Sequence, residues 1–272
     1  MPKIVFWSPL TRMTGNTHAA IAVSTFMAMK EDVNLILLQA HWQNRKIESS
    51  FTDYDQLQSM NIFTNSNIGM TALSRLVDSN KLSPESIRNY AKPVLKQKLD
   101  IMYGTNVTTR EQFATLSNTF PAIVRKADEA YDFVIVDLPK GTENAYVKEV
   151  IEDADLVVCT INQDMSRLDE FFEQIEKNEY IKDKNKIIVV GDYENKSKCN
   201  LFNIKGRYKI KYPLFAVPHN YVFMDACNDG AAVDFFYKNA NVKDTRDYNG
   251  YFLSEVEKIV KKILEITKIR DL

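Results

Sequence analysis

Nothing in the sequence marks a passage through a membrane. No apolar stretch approaches the roughly 20 residues that cross a bilayer. The start, Met-Pro-Lys-Ile-Val-Phe-Trp, has only a short apolar run and no small-residue cleavage site, which is not the pattern of a signal peptide. Cysteine is scarce: Cys159, Cys199 and Cys227 are odd in number and far apart, which argues against a disulfide or zinc framework and suits reduced thiols in a cytoplasm. An excess of one charge is missing too. With 35 Lys+Arg against 36 Asp+Glu the net charge is -1, so no global field draws the chain onto DNA or an anionic membrane, and any such binding needs a local patch. Repeats, low-complexity tracts and Gly/Ser linkers are absent, so nothing marks a domain boundary.

What is present is a core-forming chain. At 272 residues with 45% hydrophobic content, one compact domain over 1–272 is expected. Short apolar runs alternate with stretches of helical periodicity, which predicts an α/β fold with a mostly parallel sheet and helices on both faces. The strands are expected at Lys3 to Trp7, Val33 to Leu38, Leu99 to Met102, Phe133 to Val136, Leu156 to Ile161, Lys186 to Val190 and Leu214 to Val217. Helices are expected at Thr17 to Met29, around Ile68 to Val77, from Pro84 to Leu95, over Thr109 to Ala130 with Pro121 as a kink or break, at Ser166 to Asn178, and from about 254 to 269. A polar loop is expected from Asp192 to Tyr212.

Two segments can carry chemistry. Ser8-Pro-Leu-Thr-Arg-Met-Thr-Gly-Asn-Thr-His18 lies between the first strand and the first helix. Such a turn aims free backbone amides and the positive end of the helix dipole at one point, which favours a phosphate. Gly15 lets the backbone wrap closely, and Thr17 is where a hydroxyl would meet Mg²⁺. An ordinary helix start can carry the same residues. In Tyr131-Asp-Phe-Val-Ile-Val-Asp-Leu-Pro-Lys-Gly141 an apolar strand ends on Asp137, at the rim where ligands bind in open α/β sheets; a carboxylate there can hold Mg²⁺ through water, and Gly141 would let the next turn meet a γ-phosphate. The plain alternative is a strand that ends on a soluble residue.

Taken together, and in this order, the two segments resemble the deviant Walker A ATPases of the ParA/MinD family, P-loop NTPases of the SIMIBI class. The likeness runs along nearly the whole chain. YDFVIVDLPKG is similar to the family's Walker B and switch II sequence, and Ala154-Asp155-Leu-Val-Val with Asn162-Gln-Asp-Met-Ser166 to its next strand and loop. Val217-Pro218-His219 through Gly230 resembles the stretch in which a proline loop flanks the adenine. Within the family the chain looks closest to the TadZ/CpaE-like pilus-localisation branch, with plasmid partition and conjugation proteins as competitors.

The resemblance implies ATP or ADP with Mg²⁺ as ligands, held by Thr11, Arg12, Thr14, Gly15, Asn16, Thr17, His18, Gly141, Pro218 and His219, with Thr17 and Asp137 at the metal and Arg12 and Asp137 as candidate catalytic groups. It further implies a homodimer across the phosphate loop and a protein partner in a positioning or secretion system.

The departures point away from catalysis. Asn16 stands where the family carries its loop lysine, the signature lysine falls near Thr11 or Arg12, and Gln39 and His41 stand where a strand would end in aspartate. A charge-assisted phosphate contact contributes roughly 1.5–3 kcal/mol. Phosphoryl transfer depends on such charge, so weak or absent hydrolysis is expected while binding through backbone amides survives.

Two features leave other readings open. The closing helix sets Val256, Ile259, Val260, Ile263, Leu264, Ile266 and Ile269 opposite Lys258, Lys261, Lys262, Lys268 and Arg270; it can pack on the sheet or lie on a membrane, and Glu255, Glu257 and Glu265 favour packing. Lys196, Lys198, Lys205, Arg207, Tyr208, Lys209, Lys211 and Tyr212 could track nucleic-acid phosphate or simply form a solvated loop. The competing functions are thus a scaffold with an empty loop and a DNA-binding partition protein.

Overall fold

The computed structural model describes residues 1–10, 14–42, 45–59, 67–141 and 144–268. The chain order is β1 (Lys3–Trp7), α1 (Asn16–Lys30), β2 (Leu35–Gln39), α2 (Lys46–Phe51), α3 (Tyr54–Ser59), α4 (Gly69–Asp78), α5 (Pro84–Tyr90), β3 (Lys92–Leu95), β4 (Leu99–Met102), α6 (Arg110–Ser117), α7 (Phe120–Asp128), β5 (Phe133–Asp137) and α8 (Ala145–Asp153). It continues with β6 (Leu156–Ile161), α9 (Met165–Lys177), β7 (Lys186–Tyr193), α10 (Leu201–Tyr208), β8 (Leu214–Pro218), α11 (Tyr221–Asn228), α12 (Ala232–Asn239) and α13 (Tyr248–Lys268).

One sheet runs β3-β4-β2-β5-β1-β6-β7-β8, parallel throughout except for the antiparallel edge pair β3/β4. The central strands are apolar at nearly every position because both faces are covered. Alternation then divides them: Ile4, Phe6, Leu35, Leu37, Ile135 and Val158 face a core shared with α1, α12 and α13, while Val5, Trp7, Ile36, Leu38, Val136 and Cys159 face one shared with α7, α8 and α9. Helix α1 lies within the first core, with Ala19 to Val23 all buried, which explains its apolar surface all round.

The expected strands are all present. Two expectations on the connections are corrected. The helix expected from Pro84 to Leu95 stops at Tyr90, and Lys92 to Leu95 form an edge strand that turns back through Gln97, at φ 60, into β4. Pro93 is tolerated there because an edge strand needs fewer ladder donors. The loop expected from Asp192 to Tyr212 contains α10, capped by the Asn200 side chain, which accepts from the Asn203 amide. Pro121 occupies the first turn of α7, where a missing amide hydrogen is harmless, so the 109–130 stretch forms two helices.

Strand order places the working edge. The chain first builds the side of the sheet that holds β2, β4 and β3, returns as β5 beside β1, and then crosses to β6, β7 and β8. The crevice at a reversal of this kind lies beyond the carboxyl ends of the strands. Ser8, Asp137 and Asn162 stand at that edge, at the ends of β1, β5 and β6.

Candidate functional site

The loop after β1 leads into α1 through Gly15, which sits at φ 71, ψ 11 and is followed by a first turn with no acidic residue and no side-chain cap. The Gly15 carbonyl accepts from Ala19, so the amides ahead of Ala19 begin the helix without an intrahelical acceptor. Such an end attracts an anion. The turn is pressed against the end of β7: a Cβ on Gly15 would lie 2.9 Å from the Gly191 Cα, and one on Gly191 would lie 2.5 Å from the Thr14 carbonyl oxygen. The two glycines are therefore needed as a pair, for a close crossing of two backbones.

Behind the loop lies a buried polar cluster centred on Asp137. Asn16 Nδ2 donates to Asp137 Oδ1 at 2.7 Å and to the Phe6 carbonyl at 3.0 Å, while Asn16 Oδ1 accepts from the Thr160 hydroxyl at 2.8 Å. The Thr17 hydroxyl donates to Asp137 Oδ2 at 2.8 Å. Thr160 also reaches the Thr14 hydroxyl at 3.2 Å. His41 Nε2 stands 3.2 Å from Asp137 Oδ2, the oxygen that Thr17 already uses, yet is buried without a hydrogen bond. Asn16 is 3% exposed and its side chain points into the sheet edge, so only its backbone amide can serve a ligand.

The segment after Asp137 folds back over the start of the loop. The Leu138 amide donates to the Phe6 carbonyl at 3.0 Å, the Gly141 amide to the Ser8 carbonyl at 2.9 Å, and the Trp7 indole to the Gly141 carbonyl at 2.9 Å. Lys140 is held within this strap. Burial pushes its ammonium below the ordinary lysine value, Asp137 pulls it back up, and Arg167 pushes it down again.

Beside the loop, a cavity of about 180 Å³ is lined by Gly15, His18, Asp192, Pro218, His219 and Phe223 among others. The His219 Nδ1 lies 2.6 Å from Asp192 Oδ1. The His18 ring packs edge-on to Phe223, and its pKa is lowered, first by burial and then by Lys46, against a weaker upward pull from Asp192 and Asp137. His18 is thus a neutral, half-buried ring at neutral pH, better suited to a flat apolar or hydrogen-bonding group than to phosphate.

Of the residues expected at the site, Thr14, Gly15, Asn16, Thr17 and Asp137 come together around the start of α1, Gly141 lies over the loop, and His18, Pro218 and His219 meet at the cavity. Thr11 and Arg12 lie outside the described residues. Gln39 is buried and its Oε1 accepts from the Ile47 amide at 3.2 Å, so it anchors α2. The site also contains residues that motif reading passed over. Thr160 is a lone hydroxyl in an apolar strand, Gly191 ends the run KIIVVG, Trp7 directly precedes the first motif, and Lys140 lies inside the second without a role assigned to it there.

Among the described residues no group of three or more His, Cys, Asp or Glu is arranged to hold a metal. Mg²⁺ does not need one, since it is commonly held by one or two protein oxygens together with phosphate oxygens and water. Thr17 Oγ1 and Asp137 Oδ2, 2.8 Å apart, fit that pattern.

In the basic stretch, Arg207 pairs with Asp169 at 3.3 Å, and Tyr208 stacks on Phe172 and donates to Asp169 at 2.6 Å. Lys196, Lys198, Lys205, Lys209 and Lys211 are exposed. The apolar residues of α13 are packed into the first core; Ile269 and Arg270 lie outside the described residues. Among those residues no helix is long and apolar enough to cross a membrane.

Sheet order, the strand-loop-helix turn and the Asp137 rim define a P-loop-type α/β fold. It is the fold of the ParA and MinD ATPases. The chain superposes on the ParA family ATPase of Chlorobium tepidum with a TM-score of 0.68 at 12% identity, covering 93% of this chain and 97% of that one. On a plasmid partition protein of Borrelia burgdorferi bound to AMPPNP the TM-score is 0.65 at 15% identity, over 97% and 99%. On the MinD of Pyrococcus horikoshii complexed with Mg-ADP it is 0.65 at 13% identity, over 98% and 99%. No family model and no curated protein matches the sequence.

Proposed function

We propose that the chain binds ATP or ADP with Mg²⁺ at the Gly15 loop and acts as a homodimeric factor in subcellular positioning or assembly, such as pilus localisation, plasmid partition or conjugation, with hydrolysis weak or absent. The observation that carries this reading is the inward turn of Asn16 onto Asp137, Phe6 and Thr160, which leaves the free amides at the start of α1 for phosphate while placing no charge at the lysine position. The phosphates would lie over the amides of α1, the base in the cavity beside His18 and Pro218, and the metal between Thr17 and Asp137. Mg²⁺ when bound neutralises phosphate charge. With Asn16 at the lysine position the loop has no charge at that point to meet the transferring group, so turnover should be slow. The nucleotide complexes of the Borrelia and Pyrococcus proteins support the ligand class.

The test is equilibrium titration with a fluorescent ATP analogue, with and without Mg²⁺, alongside steady-state phosphate release. Saturable binding strengthened by Mg²⁺, with little phosphate released, is expected. No saturation at millimolar nucleotide would sink the reading and leave a scaffold used for protein contacts. Rapid turnover would remove the second half alone. The partition-protein alternative rests on the exposed lysines around α10, and salt-dependent binding of nonspecific duplex that weakens on neutralising Lys205 and Lys209 would favour it.

A further inference from the structure

A phosphate loop without its lysine still has to meet the charge of its ligand. Asn16 cannot do so, because its side chain is spent on protein acceptors. Arg12 lies outside the described residues, and among those residues a cation in reach of the site comes from another segment. Lys140 is such a cation. The strap that carries it is fixed to β1 and the start of the loop at three points, through Leu138, Gly141 and the Trp7 indole, all within 3.0 Å. Its position relative to the loop is therefore set by backbone hydrogen bonds and not left to a flexible turn.

Lys140 is half-buried, and among the described residues it makes no hydrogen bond and no ion pair. Of the charges acting on it, Asp137 attracts and Arg167 repels. A cation that gives up hydration without gaining a partner is unfavourable, and the loss is recovered only when an anion arrives. Asp137 is occupied by Asn16 and Thr17 and does not come within ion-pairing distance of it. The arrangement is that of a charge waiting for a ligand.

We propose that Lys140 is the phosphate-binding cation of this site, delivered in the same chain from the strap after β5 in place of the lysine that Asn16 replaces. The proposal rests on the nucleotide-binding reading. It assigns Lys140 to the phosphates and not to the base, so it acts on any ligand carrying a di- or triphosphate.

The experiment compares wild type, Lys140→Gln and Lys140→Arg for binding of a fluorescent ATP analogue, of ADP, of inorganic tripolyphosphate and of adenosine, with unliganded thermal midpoints as the folding control. Lys140→Gln should weaken ATP analogue, ADP and tripolyphosphate by roughly tenfold to a hundredfold. Its affinity for adenosine should match wild type, Lys140→Arg should retain most of the phosphate affinity, and neither variant should have an unliganded midpoint below that of wild type. Unchanged phosphate affinity in Lys140→Gln, or an equal loss for adenosine, overturns the proposal while wild-type binding leaves the nucleotide reading standing. If wild type binds neither nucleotide nor tripolyphosphate, the nucleotide reading falls and takes this one with it.

Discussion

Asn16 Nδ2 donates to Asp137 Oδ1 across 2.7 Å in a fully buried contact, so the residue that stands where a cation would meet phosphate is instead the fixed partner of the carboxylate. Removing the amide in Asn16→Ala leaves the Phe6 carbonyl, Asp137 Oδ1 and the Thr160 hydroxyl each short of one partner. An unsatisfied buried polar group costs about 1–3 kcal/mol, so a loss of at least about 2 kcal/mol is expected in denaturant unfolding. Asn16→Lys tests the other side of the exchange. A lysine there can keep a contact to Asp137 while returning charge to the loop, and ATP-analogue affinity should rise roughly tenfold or more. An Asn16→Lys chain that folds but binds no better would show that the missing lysine is not what limits binding.

The crossing of Gly15 and Gly191 gives a second prediction. A methyl on Gly191 would press on the Thr14 carbonyl oxygen at 2.5 Å and on the Gly15 Cα at 2.9 Å, both backbone atoms that cannot rotate aside. Gly191→Ala should therefore displace the phosphate loop, lowering stability by about 1–3 kcal/mol and abolishing nucleotide binding together. Gly206→Ala is the control, since it lies in the exposed α10 with nothing within 4 Å of its added carbon, and should raise stability by roughly 0.5–1 kcal/mol. Equal effects at the two positions would contradict the crossing.

The sheet was legible because its period is simple: VNLILL and YDFVIVD can only be strands covered on both sides, and the structure buries every residue of Phe133–Asp137. The Gly15 turn and Asp137 were legible as well, since each lies at a strand end, where chain direction alone fixes the rim. The chemistry between them was not. That Asn16 turns inward depends on Thr160, which is 144 residues away in sequence and 2.8 Å away in space. Gly191 and Lys140 escaped for the same reason. Their importance comes from which backbone they meet, and neither periodicity nor a local motif carries that information. The edge strand β3 is not legible in the sequence, because Lys92 to Leu95 is too short to show alternation and its one proline, Pro93, suits either the end of a helix or an edge strand.

His18 sets a pH dependence. Its folded pKa lies below the ordinary histidine value of 6.5, burial being the main cause and Lys46 the next. The unfolded chain therefore takes up the proton more readily than the folded one. The contribution of His18 to stability is fully present above pH 6.5 and is lost as pH falls through the folded value. Denaturant midpoints measured from pH 7.5 downward should decline on the acid side, and His18→Gln should flatten part of that decline while leaving the midpoint at pH 7.5 nearly unchanged. A decline of the same steepness in both chains would remove His18 as the cause.

The closing helix yields the last prediction. Ile259, Val260 and Ile263 on α13 are at most 1% exposed and join the core that α1 and β8 share, so the apolar face a membrane would need is already covered. The basic face is met by acids on the same helix: Lys258 pairs with Glu255 at 2.6 Å, Lys261 with Glu257 at 2.7 Å and Lys262 with Glu265 at 2.6 Å. Pairs that keep at least one partner in solvent add little stability, but they blunt the positive potential that would draw the helix to anionic lipid. Ile259→Ala should cost about 2–5 kcal/mol through the cavity it leaves in the core. Vesicles rich in anionic phospholipid should not sediment the folded wild-type chain, with or without ATP analogue and Mg²⁺. Sedimentation that disappears when Lys258, Lys261 and Lys262 are replaced by glutamine would mean that α13 leaves the sheet to bind lipid, and the packed arrangement would then be only one of two states.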